Sequence, residues 1–314
     1  MTKINSPQLR YRKFSRHLQE KFGCRVYKIT IDAGFNCPNR DGTLGDFGCI
    51  YCDPGGGSGR GQEESRLPIS QQITTGMAGL KRRYKAEKFI AYFQSFTNTY
   101  APADKLKRLY DEATAHPDVI GLSIATRPDC LSDEILDLIS DYGEKLYTWI
   151  ELGIQSVHTS SLKYIGRGHG LFSIADAMTA IRERPIQQCA HLIIGLPGET
   201  EEDMRDTVST VSRLGTDAVK FHMLYVTHGA RLLKAYEQGQ VPLMSREEYV
   251  DTVIMLLENL APEVLIQRLT SDAHPDILVA PDWLADKSRV IQEIETALEE
   301  QDTWQGKEYH SLSS

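Results

Sequence analysis

Apolar and β-branched residues come in six short runs, at 28–35, 88–94, 119–125, 146–154, 189–196 and 218–226. Most are nearly continuous rather than alternating, the pattern of parallel strands buried on both faces. Between them apolar positions recur at helical spacing. The stretch 70–85 carries Ile73, Met77 and Leu80 on one face. Thr200-x-x-Asp203 opens a stretch with Met204, Val208, Val211 and Leu214, and Ser245-x-x-Glu248 opens another with Val250, Val253, Leu257 and Leu260. In both, a hydroxyl stands three residues before an acid, a pairing that satisfies the free N–H groups at a helix start. Strand starts after the first lie roughly 27–43 residues apart, one strand–helix unit each. Six such units predict an α/β fold, a partial (β/α)6 TIM-like barrel with an open side. A basic helical extension is expected over residues 1–27, the barrel core over 28–230, and a C-terminal helical extension closing the barrel over 231–314.

Composition places few limits on this picture. The 314 residues are 41% hydrophobic and 25% charged, ordinary for a soluble domain. No apolar run is long enough for a membrane span. The polar N-terminus has no signal-like apolar segment, so a cytoplasmic setting with no membrane partner is expected. Net charge is −8, which excludes a uniformly basic surface. Basic residues are nevertheless clustered. Residues 1–30 hold Lys3, Arg10, Arg12, Lys13, Arg16, Lys21, Arg25 and Lys28 against Glu20, and a second run spans Lys81–Lys85. Such clusters fit a phosphate-bearing partner; a solvated helix face is the plainer alternative.

Candidate chemistry enters with three cysteines, Cys37, Cys49 and Cys52, in the run GFNCPNRDGTLGDFGCIYC. Three thiolates leave a four-iron cluster one ligand short, and the open iron can take a cosubstrate. Structural zinc is the alternative, but the loop has no histidine and no second C-x-x-C. The Gly-rich stretch 53–62 reads as a mobile loop over the cluster. Cys24, Cys130 and Cys189 read as small buried hydrophobes. In a parallel barrel the working residues gather where strands end. Here the ends carry Gln94-Ser95, Thr126-Arg127, Gln155 and, further on, Tyr225. His222 could reach a substrate there, and Arg268 and Asp272 are expected to pair across the open edge.

The cysteine loop with Tyr51 resembles that of the radical S-adenosylmethionine (SAM) superfamily. The segments GLSIATRPDCL (121–131), IELGIQSVHTSSLKYIGRGH (150–169) and HLIIGLPGET (191–200) resemble its branch containing the Elongator catalytic subunit and coproporphyrinogen dehydrogenase. With VLIQRLTSDAHPDILVAPDW (264–283), the likeness to the YhcC/YtqA-like group runs over nearly the whole chain. Two features depart from the common pattern. Eleven residues separate Cys37 from Cys49, and Ala125 stands where some relatives have Glu.

The resemblance implies a [4Fe–4S] cluster held by Cys37, Cys49 and Cys52. SAM would bind the fourth iron and be cleaved reductively to a 5′-deoxyadenosyl radical that takes hydrogen from the substrate. A low-potential donor such as flavodoxin or ferredoxin is implied. By motif position Gln94 and Ser95 would receive the methionine amino group, Gln155 and Arg167 the ribose and carboxylate, and His191 the ribose. Tyr51 would pack near the adenine, and Arg127 would steer a carboxylate. The Elongator-like motifs point to tRNA as partner and to the 5-substituent of wobble uridine, with trimming or rearrangement of a carboxymethylaminomethyl group as the natural reaction. Acetyl transfer is not expected. A small anionic metabolite or tetrapyrrole is the alternative substrate, and a non-catalytic metal-binding protein the second alternative.

Overall fold

The structure, a computed structural model, describes residues 9–56 and 67–310. The strands are β1 (Val26–Ile31), β2 (Lys88–Phe93), β3 (Val119–Thr126), β4 (Tyr147–Gln155), β5 (Gln187–Ile194), β6 (Ala218–Met223), β7 (Val226–Thr227), β8 (Leu265–Arg268) and β9 (Leu278–Ala280). Seven of them form one sheet in the order β1-β2-β3-β4-β5-β6-β8. Every neighbouring pair is parallel. β7 and β9 pair antiparallel beside it.

Helices supply the crossovers that parallel strands require. α1 (Phe14–Phe22) precedes β1, and α2 (Ile69–Tyr84), α3 (Ala103–Thr114) and α4 (Asp133–Gly143) follow the first three strands. α5 (Thr159–Tyr164) and α6 (Leu171–Arg182) follow β4, and α7 (Glu201–Arg213) follows β5. α8 (Leu232–Glu237) and α9 (Arg246–Glu258) lie between β7 and β8, and α10 (Lys287–Glu300) comes last. The two hydroxyl–acid pairs read from the sequence both form capping boxes, Thr200 with Asp203 and Ser245 with Glu248. No helix among the described residues is long and apolar enough to cross a membrane.

The sheet curves until its edge strands face each other. Lys28 of β1 donates to Gln267 of β8 at 2.6 Å, although the two strands share no ladder. The expected partial barrel is therefore present, with one strand more than the six apolar runs suggest. That seventh strand, Leu265–Arg268, comes from the region read as a helical extension. At four residues it is too short for its period to stand out.

Inward positions alternate along each strand and stack in layers. At the N-terminal end Val26, Ile90, Trp149, Cys189, Ala218 and Leu265 pack against Phe14 and Leu18 of α1. Phe14 meets Trp149 edge-on, ring centres 5.4 Å apart. This apolar plug closes one end, and Cys189 within it is the buried small hydrophobe its apolar run suggests. The other end stays open to the cysteine loop. Of the stretch 53–62, residues 57–62 lie outside the described residues, as does Lys3 of the basic N-terminus.

Candidate active site

The loop between β1 and α2 carries Cys37, Cys49 and Cys52. All three line a cavity of about 310 Å³ at the C-terminal ends of the strands. Two segments pin the loop there with three hydrogen bonds. Ile50 N–H donates to Ile165 O at 3.0 Å, Leu232 N–H to Ile50 O at 2.8 Å, and Arg231 Nη2 to Gly48 O at 2.9 Å. Asn39 adds a clamp the sequence reading missed. Its Nδ2 reaches Gly166 O at 2.8 Å, Arg167 O at 3.1 Å and Cys49 Sγ at 3.4 Å.

The thiols have distinct surroundings. Burial works to raise Cys49, but Arg167, Arg127 and Asn39 outweigh it and hold the thiol below its ordinary range. Arg167 Nη1 lies 3.7 Å from Cys49 Sγ. A thiolate is the form that binds iron, so this favours ligation. Burial pushes Cys52 up to about 11, against Arg40, whose Nη2 donates to its sulfur at 3.3 Å. No three His, Cys, Asp or Glu side chains among the described residues converge as a single ion would require. A four-iron cluster sets a different demand, because each cysteine meets its own iron.

The other expected site residues mostly converge. Tyr51, Gln94, Arg127, Gln155, Arg167 and His191 all line the same cavity. Ser95 does not; it is buried beside Gln94 and is not among the residues lining the space. Arg167 is buried, with Nε bound to Gly153 O at 3.1 Å. Glycine at 153 leaves room for this guanidinium, because a Cβ there would stand 2.5 Å from Arg167 Nη2 and would push it aside. Arg127 lines the cavity with part of its guanidinium already engaged. Its fork is taken by Asp129, at 2.9 and 2.7 Å. Only Nη1 remains buried without a partner. Gln155 and Phe96 both hold left-handed backbone, φ +74° and +62°, and both line the cavity. Such conformations are costly outside glycine and concentrate at functional sites.

Below the mouth lies a charged layer that the sequence reading passed over. Glu151 of β4 is fully buried and bound by the ammonium groups of both Lys28 and Lys220. His191 Nε2 meets Oε2, the oxygen Lys220 binds, at 2.8 Å, and Ser123 Oγ donates at 2.6 Å to Oε1, the oxygen Lys28 binds. The Tyr92 ring lies 4.9 Å from Lys28 Nζ and 4.4 Å from Lys220 Nζ. Burial works to raise Glu151, yet the two lysines hold it well below the usual carboxylate range. Burial pushes Lys220 down to about 8 and His191 down to about 4. The signal was present: Glu151 and Lys220 are charges in the middle of otherwise apolar strands, where charge is rare unless paired.

The open side of the barrel, between β1 and β8, forms a second cleft. Lys13, Arg16 and Arg25 from the N-terminal segment line it, as do Arg83 and Lys85 from the second basic run. The two clusters read separately in the sequence thus share one wall-to-wall space. No Asp or Glu lines it among the described residues. Lys13 and Arg16 pair with Glu295 and Glu20, whereas Lys81 points elsewhere, to Asp118. Thr30, Tyr92, Gln94, Lys220 and Arg268 line both the cleft and the cavity, so the two spaces adjoin. The expected pair of Arg268 with Asp272 does not form. Asp272 binds Lys287 at 3.0 Å, and Arg268 faces the cavity.

A parallel partial barrel with a three-cysteine loop over its open mouth defines a class of cluster-dependent enzymes, and comparison with known proteins names it. Residues 42–211 match the Radical SAM superfamily and residues 216–300 the Radical_SAM C-terminal domain. The chain belongs to the radical SAM superfamily, whose members use a [4Fe–4S] cluster and SAM and need a reductant. Protein YtqA of Bacillus subtilis is 36% identical over 98% of this chain and 95% of its own length. The tRNA uridine(34) acetyltransferase of Methanocaldococcus infernus is 27% identical over 53% of this chain and 31% of its own. Among solved structures, the archaeal Elp3 of the same organism superposes with a TM-score of 0.68 at 16% identity, covering 89% of this chain and 64% of that one. At that identity the likeness is one of fold.

The residues present fit the two cofactors. Three thiols share one cavity, Cys49 is held toward thiolate, and Arg127 Nη1 is a buried donor with nothing to bind. Cys37, Cys49 and Cys52 can hold three irons, and the strand-end donors can hold an amino acid and a ribose.

Proposed function

We propose that this chain is a cytoplasmic radical SAM enzyme that processes the 5-substituent of wobble uridine in tRNA, with flavodoxin or ferredoxin as donor. Cys37, Cys49 and Cys52 hold the cluster. Gln94, Gln155, Arg167, His191 and the free Nη1 of Arg127 orient SAM, and Tyr51 packs on its adenine. When bound, the pair supplies a carbon radical able to take hydrogen from an unactivated C–H bond. The chain's own task is to exclude water, fix SAM and bring the target carbon within reach.

The observation that carries the tRNA reading is the side cleft. Two basic clusters far apart in sequence line one opening, on a chain whose net charge is −8. Local positive charge on an acidic protein suits a phosphate backbone laid across the opening, with one base turned inward. The partial likeness to a tRNA uridine(34) acetyltransferase supports the same substrate class. Trimming or rearranging a carboxymethylaminomethyl group is the reaction we favour. The two lysines on Glu151 give a small anionic metabolite or tetrapyrrole as the second reading.

The test is anaerobic reconstitution with iron and sulfide, followed by reduction in the presence of SAM and tRNA from cells lacking the late wobble modifications. Mass spectrometry of digested nucleosides should show a changed wobble uridine together with 5′-deoxyadenosine. Deoxyadenosine release with the tRNA left unchanged would reject the tRNA substrate and leave the radical chemistry standing.

A further inference from the structure

The charged layer is unbalanced. Glu151 accepts from both Lys28 and Lys220, so two ammoniums, one buried and one half-buried, face one carboxylate. The pair Lys28–Glu151 would be neutral alone; Lys220, only 5% exposed, adds a second ammonium to the same carboxylate and otherwise donates to the neutral Tyr92 hydroxyl at 3.1 Å, while the other acid lining the cavity among the described residues, Asp272, is bound by Lys287. Its partner across the β6–β8 ladder is Arg268. Arg268 lines both the cavity and the side cleft, and its side chain has no hydrogen bond or ion pair among the described residues. Two further groups at this level are buried without a hydrogen-bond partner, His222 Nε2 and Gln267 Nε2. His222 stands two residues after Lys220 on the same face of β6 and lines the cavity. Burying excess positive charge and unpaired donors together is strongly unfavourable unless a counter-charge arrives.

We propose that this layer is a receiving site for an oxyanion of the substrate, a carboxylate or a phosphate, held between Lys220, Arg268 and His222. The anion completes the charge balance that the protein leaves open. It adjoins the place proposed for SAM, because His191 binds Glu151 and its ring lies 5.2 Å from that of His222, but its lysine lies deeper than the cysteine loop. Lys220 stands three residues before the end of β6 and Glu151 four before the end of β4. At about 3.3 Å per residue that is roughly 10 Å below the strand ends where the cysteine loop lies. Half-buried Arg268 and buried Lys220 both line the side cleft, so a substrate in the cleft has access to the layer. The site would fix the reacting carbon by anchoring a charged arm a set distance from it. This inference rests on the enzyme reading for its substrate, and it requires an anionic arm rather than tRNA as such.

The test is thermal unfolding of the purified protein at constant ionic strength, in chloride, acetate or inorganic phosphate. Wild type should melt about 2 °C higher in one of the two oxyanions than in chloride, as expected for a ligand near tenfold its dissociation constant. The responding anion identifies the class. The rise should vanish in Arg268→Gln and in Lys220→Met, the latter leaving the Lys28–Glu151 pair intact. Should Lys220→Met fail to fold, Arg268→Gln alone decides. No anion effect in wild type, or an effect that survives in the variants, would overturn the site. A second arm uses anticodon stem-loops bearing carboxymethylaminomethyluridine or aminomethyluridine. Tighter binding of the first, lost in Arg268→Gln, supports the site. Tight binding of both without discrimination counts against the site while sparing the tRNA reading. Weak binding of both, with the anion effect present, counts against tRNA and spares the site.

Discussion

Cys49 is the most constrained of the three loop cysteines, buried and gripped by Asn39 and Arg167. Cys49→Ala removes the thiolate those groups were placed to favour. Anaerobically reconstituted Cys49→Ala should lose the broad iron–sulfur absorbance and form no 5′-deoxyadenosine above background; retention of both would overturn the ligand assignment. His191 offers a test that needs no cofactor. Burial and Lys220 push its imidazole down to about 4, with Glu151 pulling the other way. Above about pH 6.5 it is neutral whether the chain is folded or not. As pH falls below that value the unfolded chain takes up the proton first, so stability is lost. The slope is at most about 1.4 kcal/mol per pH unit, down to about pH 4. His191→Asn should flatten the fall in stability between pH 6.5 and 5 by about that slope, measured by urea unfolding at each pH. An unchanged slope would mean the histidine is not buried neutral.

At the scale of elements, the helices owe their ends to local chemistry. Thr200 accepts from Asp203 N–H at 3.2 Å, and Asp203 Oδ2 accepts from Thr200 N–H at 2.8 Å. Thr200→Ala should cost about 1 kcal/mol of unfolding free energy in urea, with activity unchanged, because α7 packs outside the barrel away from the cavity. Both capping boxes and six of the seven sheet strands were legible in sequence, because caps and apolar runs are local signals. β8 was not, because a four-residue strand completes a sheet only when its neighbours are already in place. α1 is a different case. Its basic, polar sequence suggested an extension, yet Phe14 and Leu18 are inserted as the floor of the barrel.

For the whole molecule, the side cleft sets how charge is used. Arg83 and Lys85 line it and have no carboxylate partner within ion-pair distance among the described residues. The double variant Arg83→Glu with Lys85→Glu should weaken tRNA binding and reduce the slope of log affinity against log salt by about 2, one for each lost phosphate contact. SAM cleavage without tRNA should be unaffected, which a filter-binding titration beside a nucleoside assay would show. Equal affinity and slope in the variant would place the nucleic acid elsewhere or remove it from the reading.

By itself the sequence determined the periodic strands and helices, the helix caps and the three-cysteine loop, and through its motifs the radical SAM family. Each of these is written in neighbouring residues, whose spacing alone fixes the backbone they form. Tertiary structure alone decided which distant residues meet. It turned Arg127 onto Asp129, kept Ser95 out of the cavity, drew two basic clusters into one cleft and set Lys28, Glu151 and Lys220 in a single layer. The reason is curvature: only when a twisted parallel sheet rolls far enough for its edge strands to face each other do inward side chains from β1, β4 and β6 share one desolvated space.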